Sequence, residues 1–294
     1  PLMQVEQGLL TLNQLAIARY LSALWSGESG SFSHRYKVSK HHCWSDWKTR
    51  SGGLEWWCQS LSQANEHYSW PEKTAPHDFA SIASELRKCI AEDDDVGALV
   101  ACKAIFAWGG VARKPEDASQ VWIEGQAVAQ TLCRSLSKAV ELLHPNSNGS
   151  LKEFDGKTLL MNSAMTKIYA AAAPDTTIIY DGRVGAALGL LTRRWLQVKG
   201  EMTLPEDLRF RWGPNTKTKA QKDETRNPSK DGCVFTSLYT ASEELQTRTR
   251  NWADLVRMSS RVLLAAQELL SFEEHAVTLG MLERALFMLG YDVR

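Results

Sequence analysis

The sequence has no net charge of either sign. Its 34 lysines and arginines stand against 34 aspartates and glutamates, for a formal net charge of +0 over 294 residues. The global balance therefore gives no argument for a nucleic-acid or membrane partner, and any such argument must be local. No window approaches the roughly 18 uninterrupted apolar residues of a membrane span, and no basic-then-apolar leader opens the chain, so a cytoplasmic protein without a membrane partner is expected. The six cysteines, Cys43, Cys58, Cys89, Cys102, Cys133 and Cys233, are scattered singly, which fits reduced packing thiols better than a disulfide framework. No internal repeat is present.

Two chemical motifs are incomplete. "DGKTLL" supplies Gly156, Lys157 and Thr158, the end of a phosphate-binding loop, but Leu151 stands where that loop needs its first glycine. "KHHCW" with Cys58, His67 and His77 offers soft ligands, yet no Cys-x-x-Cys or His-x-His pair sets two of them at zinc-site spacing. No metal and no cofactor are expected.

With 44% hydrophobic residues the chain can bury a substantial core, and helical periodicity dominates after the first third. "DFASIASELRKCIAEDDD", capped at Asp78, and "VGALVACKAIFAWGGV", closed by Gly109 and Gly110, predict two helices. Val128, Leu132, Leu136, Val140 and Leu143 recur at spacings of three and four, predicting one helix over 121–143 before the turn-rich "HPNSNGS". Further helices are expected in "GKTLLMNSAMTKIYAAAAP", "GRVGAALGLLTRRWLQV", the run from Phe235 to Leu270, and "SFEEHAVTLGMLERALFMLGY". In the last, Ser271 and Glu274 read as a capping box and the apolar residues nearly encircle the helix. The fold class is mainly all-α: a Trp-rich region over 1–77, packing on a helical core over 78–294 that contains a polar, basic loop at 204–232.

Six of the 11 tryptophans fall in the first 75 residues: Trp25, Trp44, Trp47, Trp56, Trp57 and Trp70. Large rings fill cores, and they also stack on planar ligands at about 1–3 kcal/mol per nucleobase. Both readings stand at this point. Between Arg183 and Lys230, eleven lysines and arginines face five acids, a local excess of six positive charges of the kind that phosphate backbones attract. In "TTIIYDGRVGAAL", Asp181 follows an apolar β-branched run and precedes a helix, so by residue chemistry it is first a helix N-cap.

Taken together, "MNSAMTKIYAAAAPDTTIIYDGRVGAAL", Met161 to Leu188, resembles the helix-hairpin-helix core of the DNA glycosylase superfamily that includes 8-oxoguanine glycosylase, endonuclease III and AlkA-type enzymes. Ser163, Ala164, Met165 and Thr166 fall on the hairpin, Lys167 on the position of the family lysine, Asp181 on the aspartate and Val184 on the valine three residues past it. The usual hairpin glycines are replaced by Ser163 and Met165. Only Cys233 lies in the C-terminal quarter, so no iron–sulfur cluster is expected.

The resemblance implies a helix-hairpin-helix fold with its hairpin region at 157–188. It also implies a DNA glycosylase acting on double-stranded DNA with a modified base, which flips the nucleotide out and leaves an abasic site. Asp181 is then the carboxylate that stabilises positive charge developing on the sugar, and Lys167 the amine that a bifunctional lyase would use. Backbone contacts fall to Ser163, Met165, Thr166, Arg183 and Arg193, and the base-pocket walls to Trp44, Trp47, Phe106 and Trp108. Some bacterial relatives with similar "FAWGGV" and "YDGRV" segments act against phage by removing glucosylated hydroxymethylcytosine, and the same substrate is expected here. Two alternatives stand beside this reading: a non-catalytic DNA-binding module in which Asp181 only caps its helix, and a bifunctional glycosylase/lyase using Lys167.

Overall fold

The computed structural model describes residues 9–28, 30, 32–38, 47, 51–70, 78–214, 224–271 and 276–294. Among the described residues there are ten α-helices, and the chain is 55% helix and 5% strand. In chain order they are α1 (Leu12–Ser26), α2 (Leu61–Glu66), α3 (Phe79–Ala91), α4 (Asp95–Gly109), α5 (Ala118–Val128), α6 (Leu132–Leu143), α7 (Met165–Ala172), α8 (Gly182–Lys199), α9 (Leu245–Leu269) and α10 (Leu279–Leu289). Strands β1 (His34–Lys37) and β2 (Glu55–Cys58) lie between α1 and α2. No described helix is long and apolar enough to cross a membrane.

The chain divides into two compact units. The first comprises 1–71, 181–241 and 261–294, and the second 72–180 and 242–260. The expected 78–294 core is therefore distributed over both units, and the N-terminal region belongs to a unit completed by the C-terminus.

In the first unit, Thr11 and Gln14 cap α1 reciprocally and Gly27, at φ 73°, ends it, a helix that the tryptophan-rich composition of this region had obscured. β1 and β2 pair antiparallel with His34 opposite Cys58 and Tyr36 opposite Trp56, and alternation turns these four side chains inward. The question left open by the tryptophans is answered for three of them: Trp25, Trp47 and Trp56 are buried core rings. Trp56 stacks on Tyr36 at 5.1 Å between centroids.

α8 is buried from Val184 to Arg193 and again at Leu196. Its N-terminus is reached at very short range by two other segments, and glycine is what permits this. A Cβ on Gly182 would come 2.6 Å from the Gly213 Cα, and one on Gly290 would overlap the Arg183 carbonyl group, 2.8 Å from the Arg183 Cα. Gly213 also donates its N–H to the Gly182 carbonyl at 3.1 Å.

In the second unit, α3 carries Ile82, Ala83, Leu86 and Cys89 on its buried stripe and is capped by Asp78 as expected. Asp93, at φ 56°, turns the chain into α4, which Asp94 caps. The single helix expected over 121–143 is two helices. Gln130 at φ 55° breaks it, Val128 is 87% exposed, and the Gln126 side chain accepts the hydroxyls of Thr131 and Ser135 at 2.7 Å each across the break. Apolar spacing of three and four survives a short left-handed reversal, so periodicity alone could not reveal it.

Two more boundaries differ from expectation. The run from Phe235 becomes helical only at Leu245, because the chain around Ser237 pairs with Trp212. The last helix starts at Leu279, with Thr278 and Met281 as its capping box, rather than after Ser271; Glu274 lies outside the described residues. The "DGKT" segment is a turn: the Asp155 carboxylate accepts the N–H groups of Lys157 and Thr158 at 2.8 and 2.7 Å, with no helix following for a phosphate to cap.

Candidate active site

No described strand pairs with the approach to Asp181, and side chains satisfy its backbone. Within the second unit the Thr166 hydroxyl accepts the Tyr180 N–H at 2.9 Å, Ser260 Oγ accepts that of Ile178 at 3.2 Å, and Trp252 Nε1 donates to the Tyr180 carbonyl at 2.8 Å. Ile178 and Tyr180 are fully buried. The β-branched "TTIIY" run thus forms an extended segment anchored at three points.

Asp181, the first residue assigned to the other unit, is the N-cap of α8 in extended conformation. Its Oδ1 accepts the N–H groups of Arg183 at 2.9 Å and Val184 at 3.1 Å, and the residue is 8% exposed. Arg183, next on the helix, lays its guanidinium over the rings of Tyr291 at 4.3 Å, Phe287 at 4.6 Å and Trp70 at 5.8 Å. Tyr291 in turn stacks on Tyr36 at 6.3 Å, and Tyr36 on Trp56. A column of rings from the N-terminal sheet therefore backs the first turn of α8.

Arg226 completes the arrangement, from a loop where sequence reading found only general positive charge. Burial pushes its guanidinium down to about 10, Arg183 adds repulsion, and the carboxylates of Asp181 and Glu224 oppose both. Val293 N–H donates to the Thr225 carbonyl at 2.8 Å, pinning this loop to the C-terminal segment. The Asp181 carboxylate thus sits on a helix N-terminus, within electrostatic range of the Arg226 guanidinium.

Several residues singled out from the sequence are placed elsewhere or engaged otherwise. In the second unit, Met165 and Thr166 are fully buried in the first turn of α7. The amides expected to grip phosphate are already paired: Asn162 Oδ1 accepts the N–H groups of Ala164 at 2.9 Å and Met165 at 3.0 Å, and the Asn162 carbonyl accepts that of Thr166 at 3.0 Å. Ser119 holds the Asn162 side chain, its hydroxyl oxygen accepting from Nδ2 at 2.9 Å. Asn162, two residues ahead of the N-cap Ala164, is the side chain that satisfies this helix start and that sequence reading missed, although an asparagine three residues ahead of an apolar helical run is the available signal. Ser163 is half-buried, and its carbonyl accepts a hydrogen bond from Lys167 Nζ at 2.8 Å. No helix ends just upstream of this segment, since α6 closes at Leu143.

Arg193 is buried at 7% exposure in the first unit and donates to the Val293 carbonyl at 3.4 Å, so it is an internal residue and not a phosphate contact. Arg183 is likewise committed to its aromatic rings. Of the basic loop, Lys217, Lys219 and Lys222 lie outside the described residues.

Lys167 is 6% exposed, and its stem runs against Gly109: a Cβ there would sit 2.7 Å from the Lys167 Cδ. Trp108, adjacent in sequence, is half-buried and packs on Phe79 at 4.5 Å. Of the proposed pocket walls, Phe106 and Trp47 are core rings, and Trp47 Nε1 donates to the Glu55 carbonyl at 3.0 Å. Buried rings of this kind present no face to a flipped base. Trp44 lies outside the described residues, as does His77.

An open polar depression of about 630 Å³ in the first unit is lined by Phe32, Ser33, Gln59, Ser60, Gln63 and Glu66 among others. It contains none of the candidate site residues and no pair of titratable groups suited to acid–base work, so the buried carboxylate carries more chemistry than this depression does. No protein-family model, no curated protein and no solved structure matches the chain.

Proposed function

We propose that this protein is a DNA glycosylase that excises a modified base from double-stranded DNA by hydrolysing the N-glycosidic bond, with Asp181 as the catalytic carboxylate. The observation that carries the proposal is the carboxylate itself, buried and fixed by two amide N–H groups at the start of α8, within electrostatic range of Arg226. A fixed anion is what a sugar of oxocarbenium character requires, and exclusion of water strengthens its field. Asp181 would stabilise that charge and orient the attacking water, leaving an abasic site. The resemblance over 161–188 supplies the substrate class, and glucosylated hydroxymethylcytosine is the base proposed first.

The α8 cap also suits a second reading, a DNA-binding module without catalysis, since those two hydrogen bonds are the ones a purely structural aspartate makes. Release of free base from phage DNA carrying modified cytosines separates them. The glycosylase reading expects base release by the wild type and a drop of about 100-fold or more in Asp181→Asn. No release from any modified DNA, with duplex binding unaffected by Asp181→Asn, overturns it. The lyase alternative predicts a borohydride-trapped complex that is absent in Lys167→Ala.

A further inference from the structure

We propose that the open polar depression of the first unit is a binding site for a neutral saccharide. Its volume of about 630 Å³ falls within the roughly 300–1,000 Å³ of small-molecule sites. Two short segments supply the side chains of its wall: Phe32 and Ser33, which lead into β1, and the stretch from Gln59 to Glu66, which runs from the end of β2 through α2.

These segments are held by bonds of their own. Gly27, at φ 73°, turns the chain out of α1, and the Ser33 carbonyl accepts Arg194 Nη1 at 3.0 Å. The Arg194 guanidinium lies over the Phe32 ring at 5.2 Å without itself lining the depression. On the α2 side, Ser60 Oγ accepts the Gln63 N–H at 3.0 Å, and Gln63 Oε1 accepts the Gln59 N–H at 2.7 Å. The second bond fixes which end of the Gln63 amide is the acceptor, so Nε2 is left as an oriented donor. Among the described residues, no hydrogen bond engages the Gln59 side chain or the hydroxyls of Ser33 and Ser62.

The ligand class follows from what the lining holds and what it omits. No lysine, arginine or histidine lines the depression, so a phosphate or carboxylate finds no counter-charge there and meets the Glu66 carboxylate instead. Amides, hydroxyls and one carboxylate both donate and accept, as the adjacent hydroxyls of a sugar require. The negative face of an aromatic ring such as Phe32 attracts the C–H face of a pyranose. Arg194 stands thirteen residues beyond Asp181 on α8, about 20 Å along the helix, so the saccharide site is separate from that carboxylate. It is independent of the glycosylase reading.

The test is titration of the full chain with maltose and with cellobiose, read by calorimetry and by side-chain amide NMR. At least one of them should bind saturably and shift the Gln59 and Gln63 amide resonances. Gln59→Ala and Phe32→Ala should each weaken that binding by about 5-fold or more. Glucose 6-phosphate should bind no more tightly than glucose. Absence of saturable binding by both disaccharides overturns the proposal, as does binding that neither variant weakens, and tighter binding of the phosphorylated sugar overturns the neutral class. Should Phe32→Ala fail to fold, Gln59→Ala decides, because that side chain is exposed and holds nothing else in place.

Discussion

Replacing Asp181 by asparagine and by alanine separates its two roles, because asparagine keeps a side-chain oxygen where alanine keeps none. In the folded chain one carboxylate oxygen accepts the N–H groups of both Arg183 and Val184, and Val184 is fully buried. Alanine leaves both donors unpaired. A lost N-cap costs about 0.5–2 kcal/mol, and this one belongs at the upper end because an orphaned buried amide is itself worth about 1–3 kcal/mol. We expect Asp181→Ala to lose about 2 kcal/mol. Asparagine removes only the charge, and with it a helix-dipole interaction of about 0.3–1 kcal/mol together with the attraction to Arg226. Urea unfolding measured beside base release gives the four numbers needed. The expected pattern is a folded Asp181→Asn within about 1 kcal/mol of wild type that no longer releases base. Equal destabilisation by asparagine and alanine would refute the capping argument, and full base release by Asp181→Asn would refute the catalytic one.

Three further outcomes follow from the geometry. Gly290→Ala should destabilise by about 3 kcal/mol or more in urea unfolding, since its methyl group falls on the Arg183 backbone, whereas Gly125→Ala, with nothing near it, should be neutral or slightly stabilising. Gln130→Gly should stabilise by about 0.5–1 kcal/mol, read as a raised urea midpoint, because glycine adopts φ 55° without the side-chain penalty. His34 is buried with Nε2 at 3.2 Å from the Leu289 carbonyl oxygen, and burial first, then the Arg194 charge, lowers it to about 4. The neutral ring is the folded form, so its stability is fully present above the unfolded value of about 6.5 and is lost as pH falls from there towards about 4. That loss is on the order of 3 kcal/mol, measured as a steeper acid decline in unfolding free energy than His34→Gln shows.

Local chemistry was legible wherever it acted within a few residues. The Asp78 cap of α3, the closure of α4 at Gly110 and the start of α8 at Asp181 all appear where short-range hydrogen bonding and apolar spacing placed them. The mainly helical class followed from the same periodicity. Elements with short or masked signals did not. α1 lies in a composition that pointed elsewhere, the α5–α6 break keeps its apolar spacing across a left-handed residue, and the start of α10 was displaced by a competing capping pattern at Ser271.

What a residue does when its partners are far away in the chain was decided only by the tertiary structure. Arg193 and Arg183 read as DNA-backbone contacts, yet one is buried against the Val293 carbonyl and the other lies over three rings supplied by Trp70, Phe287 and Tyr291. Asn162 takes the amides that a hairpin would have offered to phosphate, and Arg226, forty-five residues downstream, is brought within electrostatic range of Asp181. The sequence by itself determined that Asp181 heads a helix behind an apolar run, because caps and dipoles act over one turn. Its burial, its guanidinium neighbours and the glycines that let other segments touch its helix depend on close packing between distant segments, which no local pattern records.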